Sequence, residues 1–319
     1  MRTYVPPVAS LYEIETESAV EVPVPHRQAD ATATPSARAT SKRSVPEERE
    51  NSPERVPTTS SVPPELPDQQ EDLFREVLGL LERKQIPLAV SGAFALRQHT
   101  GIYRFTKDLD LFLTAQKAPC ALSCLQQHGF ETEIRDSVWL AKAHRDDFFV
   151  DLITGMSNAA ILVEDSWIAR AQPAVIYDVP TRVLAPEELI ASKLFVTRRE
   201  RFDGADIAHV IYGTQGQLDW KRISDLVGEH WEMLLWSLIL FRYVYPGQTH
   251  YVPNELWTEL LSRFQKEISN PNPDARFRGS LVDENMFAID VQEWGLDNIL
   301  EEYRGRREPK LRPPSKNCT

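Results

Sequence analysis

Two aspartates separated by one leucine carry the most explicit chemistry in this sequence. In Asp108-Leu109-Asp110-Leu111-Phe112-Leu113 the leucines occupy every second position, the period of a strand. Side chains alternate across a strand, so Asp108 and Asp110 share one face with Cβ atoms ~7 Å apart, while the leucines face the other way. Carboxylates that close repel, and one takes up a proton unless a cation lies between them. A hard divalent cation removes the conflict, since Mg2+ binds through one or two carboxylates plus substrate phosphates and keeps water elsewhere. Asp151 is the candidate third acid. It stands in the otherwise apolar run Phe148-Phe149-Val150-Asp151-Leu152-Ile153, where a lone charge is costly unless paired or metal-bound. If the two strands are neighbours, three carboxylates converge as in two-metal phosphoryl or nucleotidyl transfer, one ion activating the nucleophile and the other stabilising the leaving group. The plainer account makes Asp108 and Asp110 strand-end residues paired with Lys107 and Arg104.

A second feature lies 16 to 18 residues upstream, at Ser91-Gly92. Leu88-Ala89-Val90 reads as a short buried strand, and Ala93 to His99 as a helix. A glycine between them permits close backbone approach, and the helix N-terminus supplies free N-H donors for a phosphate. The turn and the metals would then hold opposite ends of one triphosphate.

These residues need a layered scaffold. Leu73, Val77, Leu80 and Leu81 follow helical spacing behind Asp68 or Asp72, which predicts a helix from Glu71 to about Gln85, ended by Pro87. Pro119 to His128 reads as helix; Phe130 to Ile134, Val138 to Ala143 and Phe148 to Ile153 read as strands. The order predicts an α/β (α+β) mixed sheet flanked by helices over residues 68–185. Helical patterns follow at Glu187 to Arg201, Ala205 to Tyr212, Trp220 to Tyr243 and Asn254 to Lys266, predicting a helical C-terminal domain over 186–303. Residues 304–319 hold six Lys or Arg and one acid, and are expected to be a solvated, basic, disordered tail.

Composition sets the outer limits. Of the 319 residues, 1–67 hold 11 of the 23 prolines and no glycine, while all seven tryptophans fall between Trp139 and Trp294. Residues 1–67 are therefore expected to be a disordered leader, too poor in apolar residues to offset the entropy of ordering. A net charge of -11 excludes a surface-wide polyphosphate field and leaves nucleic-acid contact to local patches. Three cysteines make no disulfide framework, and no secretory pattern opens the chain, which predicts a reducing, cytoplasmic setting. The longest apolar stretch, Met233 to Phe241, is interrupted by Ser237 and too short to span a bilayer, so no membrane association is expected. Cys120, Cys124 and His128 share a helix face but lack the second ligand pair a structural zinc wants. Neither a G-x-S-x-G nor a P-loop is present.

Val90-Ser91-Gly92-Ala93, Asp108-Leu109-Asp110-Leu111 and Asp151 together resemble, in order and spacing, the nucleotidyltransferase superfamily, the fold of DNA polymerase beta. The runs Ser91-Gly92-Ala93-Phe94-Ala95-Leu96 and Arg104-Phe105-Thr106-Lys107-Asp108-Leu109-Asp110 look most like AbiEii-like and uncharacterised bacterial members. The family turn is usually Gly-Gly or Gly-Ser, whereas here the hydroxyl of Ser91 precedes the glycine. The resemblance implies transfer of a nucleoside monophosphate from an NTP to an acceptor hydroxyl, with release of pyrophosphate and two Mg2+ (or Mn2+) ions on Asp108, Asp110 and Asp151. Ser91 and Gly92 would cradle phosphates. Pro186 to Leu194 resembles the helix whose lysine, here Lys193, turns back to those phosphates. Arg198, Arg199 and Arg201 are expected on the same helix, either locked by Asp203 and Asp206 or forming a cationic rim. The acceptor would be an RNA or tRNA end, a protein hydroxyl or a small molecule. The alternative is a non-catalytic nucleotide- or partner-binding module of a toxin-antitoxin pair, with a partner protein.

Overall fold

The computed structural model describes residues 68–314. The leader expected over 1–67 and the last residues of the basic tail, 315–319, lie outside them. A first helix, α1 (Asp68–Arg83), buries Leu73, Phe74, Val77, Leu78, Leu80 and Leu81 along one stripe. It leads through β1 (Ala89–Val90) into α2 (Gly92–Thr100), which Gly101 closes in the left-handed conformation, φ 73°, its N-H returned to Arg97 O at 2.8 Å. Next come β2 (Asp108–Phe112), α3 (Ala118–Gln127), β3 (Glu131–Asp136), β4 (Leu140–Arg145) and β5 (Phe148–Ile153). The remaining elements of the sheet region are α4 (Asp165–Arg170), β6 (Gln172–Ile176) and β7 (Val179–Val183).

The seven strands form one mixed sheet in the order β3-β4-β5-β2-β1-β7-β6. β2 runs parallel to β5 and β1 parallel to β7; the other neighbouring pairs are antiparallel. Helices α1 and α3 pack on each other and on β7, β3 and β4. The sheet face bearing Leu109 and Leu111, both 0% exposed, is therefore the covered one. The opposite face of β2 carries Asp108 and Asp110.

Helices α5 (Pro186–Lys193), α6 (Gly204–Gly213), α7 (Trp220–Val227), α8 (Trp231–Val244) and α9 (Asn254–Ser269) follow. A hairpin of β8 (Thr197–Arg198) and β9 (Arg201–Phe202) separates α5 from α6. One hydrophobic cluster runs through all of this, from Leu73 to Leu311.

Three expectations need correction, and one hairpin was not expected. The helix expected from Glu187 to Arg201 ends at Lys193, and Arg198 and Arg201 pair across the small hairpin, because the β-branched Val196-Thr197 step and the Thr197 to Phe202 pairing favour extended backbone. The helix expected over Trp220 to Tyr243 is broken at Gly228, φ +54°, a conformation no α-helix continues through. The β6-β7 hairpin was hidden by Pro173 and Pro180, and turns at Tyr177 (φ 48°) and Asp178 (φ 63°); Pro173 is tolerated because β6 is an edge strand. Finally, residues 304–311 do not run free in solvent: Arg307 and Leu311 are buried, while Gly305, Arg306 and Glu308 are exposed. Arg304 donates to both Asp136 carboxylate oxygens at 3.0 and 2.9 Å, and buried Arg307 donates to Val138 O at 3.3 Å and Thr154 O at 2.9 Å. Leu311 N-H bonds Ser137 O at 2.8 Å. Carbonyls at the end of the β3-β4 hairpin offer acceptors that a count of basic residues does not reveal.

Arg307→Ala strands two buried carbonyls and is expected to lower stability by about 2–3 kcal/mol in urea denaturation. A solvated tail residue would change it by less than about 0.5 kcal/mol.

Candidate active site

The parallel pairing of β2 with β5 sets Asp110 directly opposite Asp151. Register partners on adjacent strands project to the same face ~4.8 Å apart, and Asp108, two residues along, shares that face. The structure thus brings the three predicted acids onto one side of the sheet. Asp110 and Asp151 line a cleft of about 230 Å³ together with Ser91, Gly92, Lys193 and Arg201. Asp108 stands beside the cleft rather than in its lining.

Their electrostatics follow from that crowding. Burial, then the Asp151 and Asp108 charges, push the Asp110 carboxyl up to about 6, against the pull of Arg201 and Lys193. Burial also raises the Asp151 carboxyl, opposed by Lys142, whose Nζ donates to Asp151 Oδ1 at 2.7 Å. Lys142 faces Asp151 in the β4-β5 register. It was missed, although a lone lysine in Leu140-Ala141-Lys142-Ala143 beside a lone aspartate in an apolar strand was a legible pairing.

Gly92 has a double reason to be glycine. Its φ is +57°, and a Cβ there would lie 2.0 Å from Asp110 Oδ2. The group that approaches this backbone is a carboxylate of the protein itself. Ser91 is buried, and its N-H is already spent on Asp110 O at 2.9 Å, continuing the β1-β2 ladder. Ala95 N-H closes the first helical turn on Ser91 O at 3.3 Å, so the amides at the helix start without an intrahelical acceptor are those of Gly92, Ala93 and Phe94.

Lys193 ends α5 and reaches the cleft, but it is already doubly paired: Nζ donates to Asp203 Oδ2 and Asp206 Oδ2, each at 2.8 Å. Arg201 grips Asp203 through Nε and Nη2, both at 3.0 Å, while Arg104 pairs with Asp206. Burial alone would raise the Asp203 carboxyl, but the Arg201 bond and the Lys193 charge take it below its usual range. Of the arginines after α5, Arg201 is thus locked, whereas Arg198 lines the cleft and donates to Ser157 Oγ at 2.7 Å. Trp139, Met156 and Phe195 supply the apolar wall.

Among the described residues no group of three His, Cys, Asp or Glu side chains is arranged to hold a metal ion. The donor chemistry nonetheless fits a hard divalent cation: a carboxylate face on which burial, and then the neighbouring acids, lift Asp110 is a charge pattern that such an ion relieves. Lys142 holds part of that charge at Asp151.

A family described as "Nucleotidyl transferase of unknown function (DUF2204)" matches residues 70–233. The chain belongs to this family of nucleotidyl transferases. Its match spans the sheet, the acids, the glycine turn and helices α5 to α7. None of the curated proteins matches the chain. Among solved structures it is similar to the antibiotic-resistance factor ANT(2'')-Ia, with 16% identity over 58% of this chain and 98% of that one, TM-score 0.35. It is similar to the lincosamide antibiotic adenylyltransferase LnuA, with 16% identity over 44% and 95%, TM-score 0.33. A nucleotidyltransferase-like protein of Paracoccidioides brasiliensis matches at 16% identity over 58% and 94%, TM-score 0.35. No helix among the described residues is long and apolar enough to cross a membrane.

Two outcomes test this geometry in metal-free protein. Asp110 titrates near 6 folded and near 3.8 unfolded, so the folded state holds more protons between those values and stability falls as pH rises through that window. Asp110→Asn is therefore expected to stabilise the protein on the order of 2 kcal/mol at pH 8, and far less near pH 4, by denaturant titration in EDTA. Gly92→Ala is expected to cost about 2 kcal/mol or more in thermal unfolding. Gly101→Ala, also at positive φ but with nothing within 4 Å of its Cβ, should cost only about 1 kcal/mol.

Proposed function

We propose that this transferase moves a nucleoside monophosphate from an NTP to an acceptor hydroxyl in a reaction that depends on Mg2+, with Mn2+ able to substitute. The observation that carries the reading is the β2-β5 register, which sets Asp110 beside Asp151 and against the amides of α2. Asp108 and Asp110 would hold the cations, and Asp151 would join them on exchanging its Lys142 partner for metal. Bound there, the ions would supply charge neutralisation at the α-phosphate and a lowered pKa at the acceptor hydroxyl.

The chain's own residues divide the remaining work. The amides of Gly92, Ala93 and Phe94 donate to phosphate oxygens, with Ser91 fixing the turn through its ladder bond. Lys193 and Arg198 place positive charge at the cleft, and Asp203 and Asp206 fix the position of the Lys193 ammonium. Asp151 would also help take the proton of the attacking hydroxyl, a role suited to a carboxylate whose burial raises its proton affinity. Trp139, Met156 and Phe195 exclude water from one side. The acceptor is an RNA or tRNA end, a protein hydroxyl or a small molecule.

Incubation with each α-labelled NTP, Mg2+ and separately fractionated RNA, protein and metabolites tests this. Wild type is expected to transfer label to one fraction and release pyrophosphate, and Asp108→Ala or Asp110→Ala to reduce transfer at least ~100-fold. Mg2+ should raise the melting temperature of wild type but not of Asp110→Ala. Transfer surviving both substitutions would refute the metal assignment; NTP binding with no transfer to any fraction would favour a non-catalytic binding module.

A further inference from the structure

A second cavity, of about 560 Å³, opens between α2, the 101–106 loop and the β6-β7 hairpin, and shares no lining residue with the acidic cleft. Its charge runs against that of the chain. The whole protein carries -11, yet this lining contains Arg97 and Arg104 and neither Asp nor Glu. Arg104 is engaged with buried Asp206. Arg97 has no carboxylate partner among the described residues; its guanidinium rests on the Tyr103 ring, 5.3 Å from the centroid. A guanidinium left without an acid in an acidic protein, facing a cavity, is a receptor for an anion.

The walls say what the anion is attached to. Phe94 and Tyr177 meet edge to face, centroids 5.8 Å apart at 82°, with Phe74 behind Phe94 at 6.3 Å and 76°. The Tyr177 end is tied down by Arg75, whose Nε donates to Tyr177 O at 3.1 Å. The nearest acids on α1, Glu71 and Asp72, are both occupied by the same Arg75. Rings held at fixed angles beside a cationic group suit a planar aromatic ligand, and the volume lies within the range of small-molecule sites.

We propose that this cavity is a second ligand site, outside the catalytic cleft, for a purine or pyrimidine carrying a phosphate: Arg97 takes the phosphate and the Phe94 and Tyr177 rings take the base. The same chemistry comes from a free nucleoside monophosphate or from a nucleotide within a single RNA strand. The ion pairs Arg104 to Asp206 and Asp206 to Lys193 connect this wall to the cleft, so the two sites share one charge network.

The site is independent of the transferase reading and is tested without divalent metal. Full-length protein in EDTA is titrated calorimetrically with AMP, adenosine, inorganic phosphate and a 5′-phosphorylated oligoadenylate. AMP is expected to bind saturably, with adenosine and inorganic phosphate each at least ~10-fold weaker, the loss of one charge-assisted contact or one stacked ring. Arg97→Ala, at an exposed position, should weaken AMP at least ~10-fold and Tyr177→Leu several-fold. Oligoadenylate binding that is tighter than AMP and salt-sensitive assigns the site to an RNA strand; equal or weaker binding assigns it to the free nucleotide. The proposal is overturned if neither probe binds saturably, if phosphate alone binds as well as AMP, or if AMP binding survives Arg97→Ala.

Discussion

The organisation of this protein depends on one strand pairing. β2 and β5 are far apart in sequence and lie parallel, so β3 and β4 intervene between them and no turn sets their register. What sets it is the apolar side of the ladder: Leu109, Leu111, Val150 and Leu152, each 0% exposed, must all face the helices α1 and α3. With a period of two, a slip of one residue would move every leucine to the cleft and every carboxylate into the core. Burial of leucines on one face is therefore what aligns Asp110 with Asp151 on the other. The acids are costly where they stand, and the energy that keeps them there comes from residues that never touch the site.

The glycine turn is part of the same constraint. Because β1 is antiparallel to β2, its C-terminal end lies beside the start of the acidic strand, and α2 begins where the Asp110 side chain projects. A Cβ at position 92 would occupy the place of the Asp110 carboxylate, so the helix N-terminus and the acid are set at contact distance by the absence of a side chain. The local fields compete: a helix start carries partial positive charge and favours the ionised carboxylate, whereas burial and then the Asp151 charge push Asp110 toward protonation.

Around this centre the basic residues are held by acids rather than left free. Lys193 sits between Asp203 and Asp206, Arg201 is bidentate on Asp203, and Lys142 is on Asp151. Such pairing leaves the Lys193 cation desolvated but compensated, ready to be partly shared with an incoming anion. Arg97, in a cavity lined by neither Asp nor Glu, has an aromatic ring and, among the described residues, no carboxylate as its partner.

By itself, the sequence determined the local part of this arrangement. The alternation at 108–113, the lone Asp151 in an apolar run, the Ser91-Gly92 break and the helical stripe of α1 are all periodicities within a dozen residues, and each corresponds to an element found in the fold. What the tertiary structure alone decided is which distant groups meet. Lys142 meets Asp151 because β4 and β5 form an antiparallel pair; Lys193 is captured by acids beyond an unforeseen hairpin; Arg304 and Arg307 find carbonyls at the end of a sheet. The β6-β7 hairpin is hidden in the sequence by two prolines, Pro173 on the edge strand β6 and Pro180 on β7, where the short β1 pairs only at Val183. Periodicity records which side of an element is apolar, and that is a property of neighbouring residues. The partner of a charge is chosen by strand order and register, which are settled by the packing of the whole sheet.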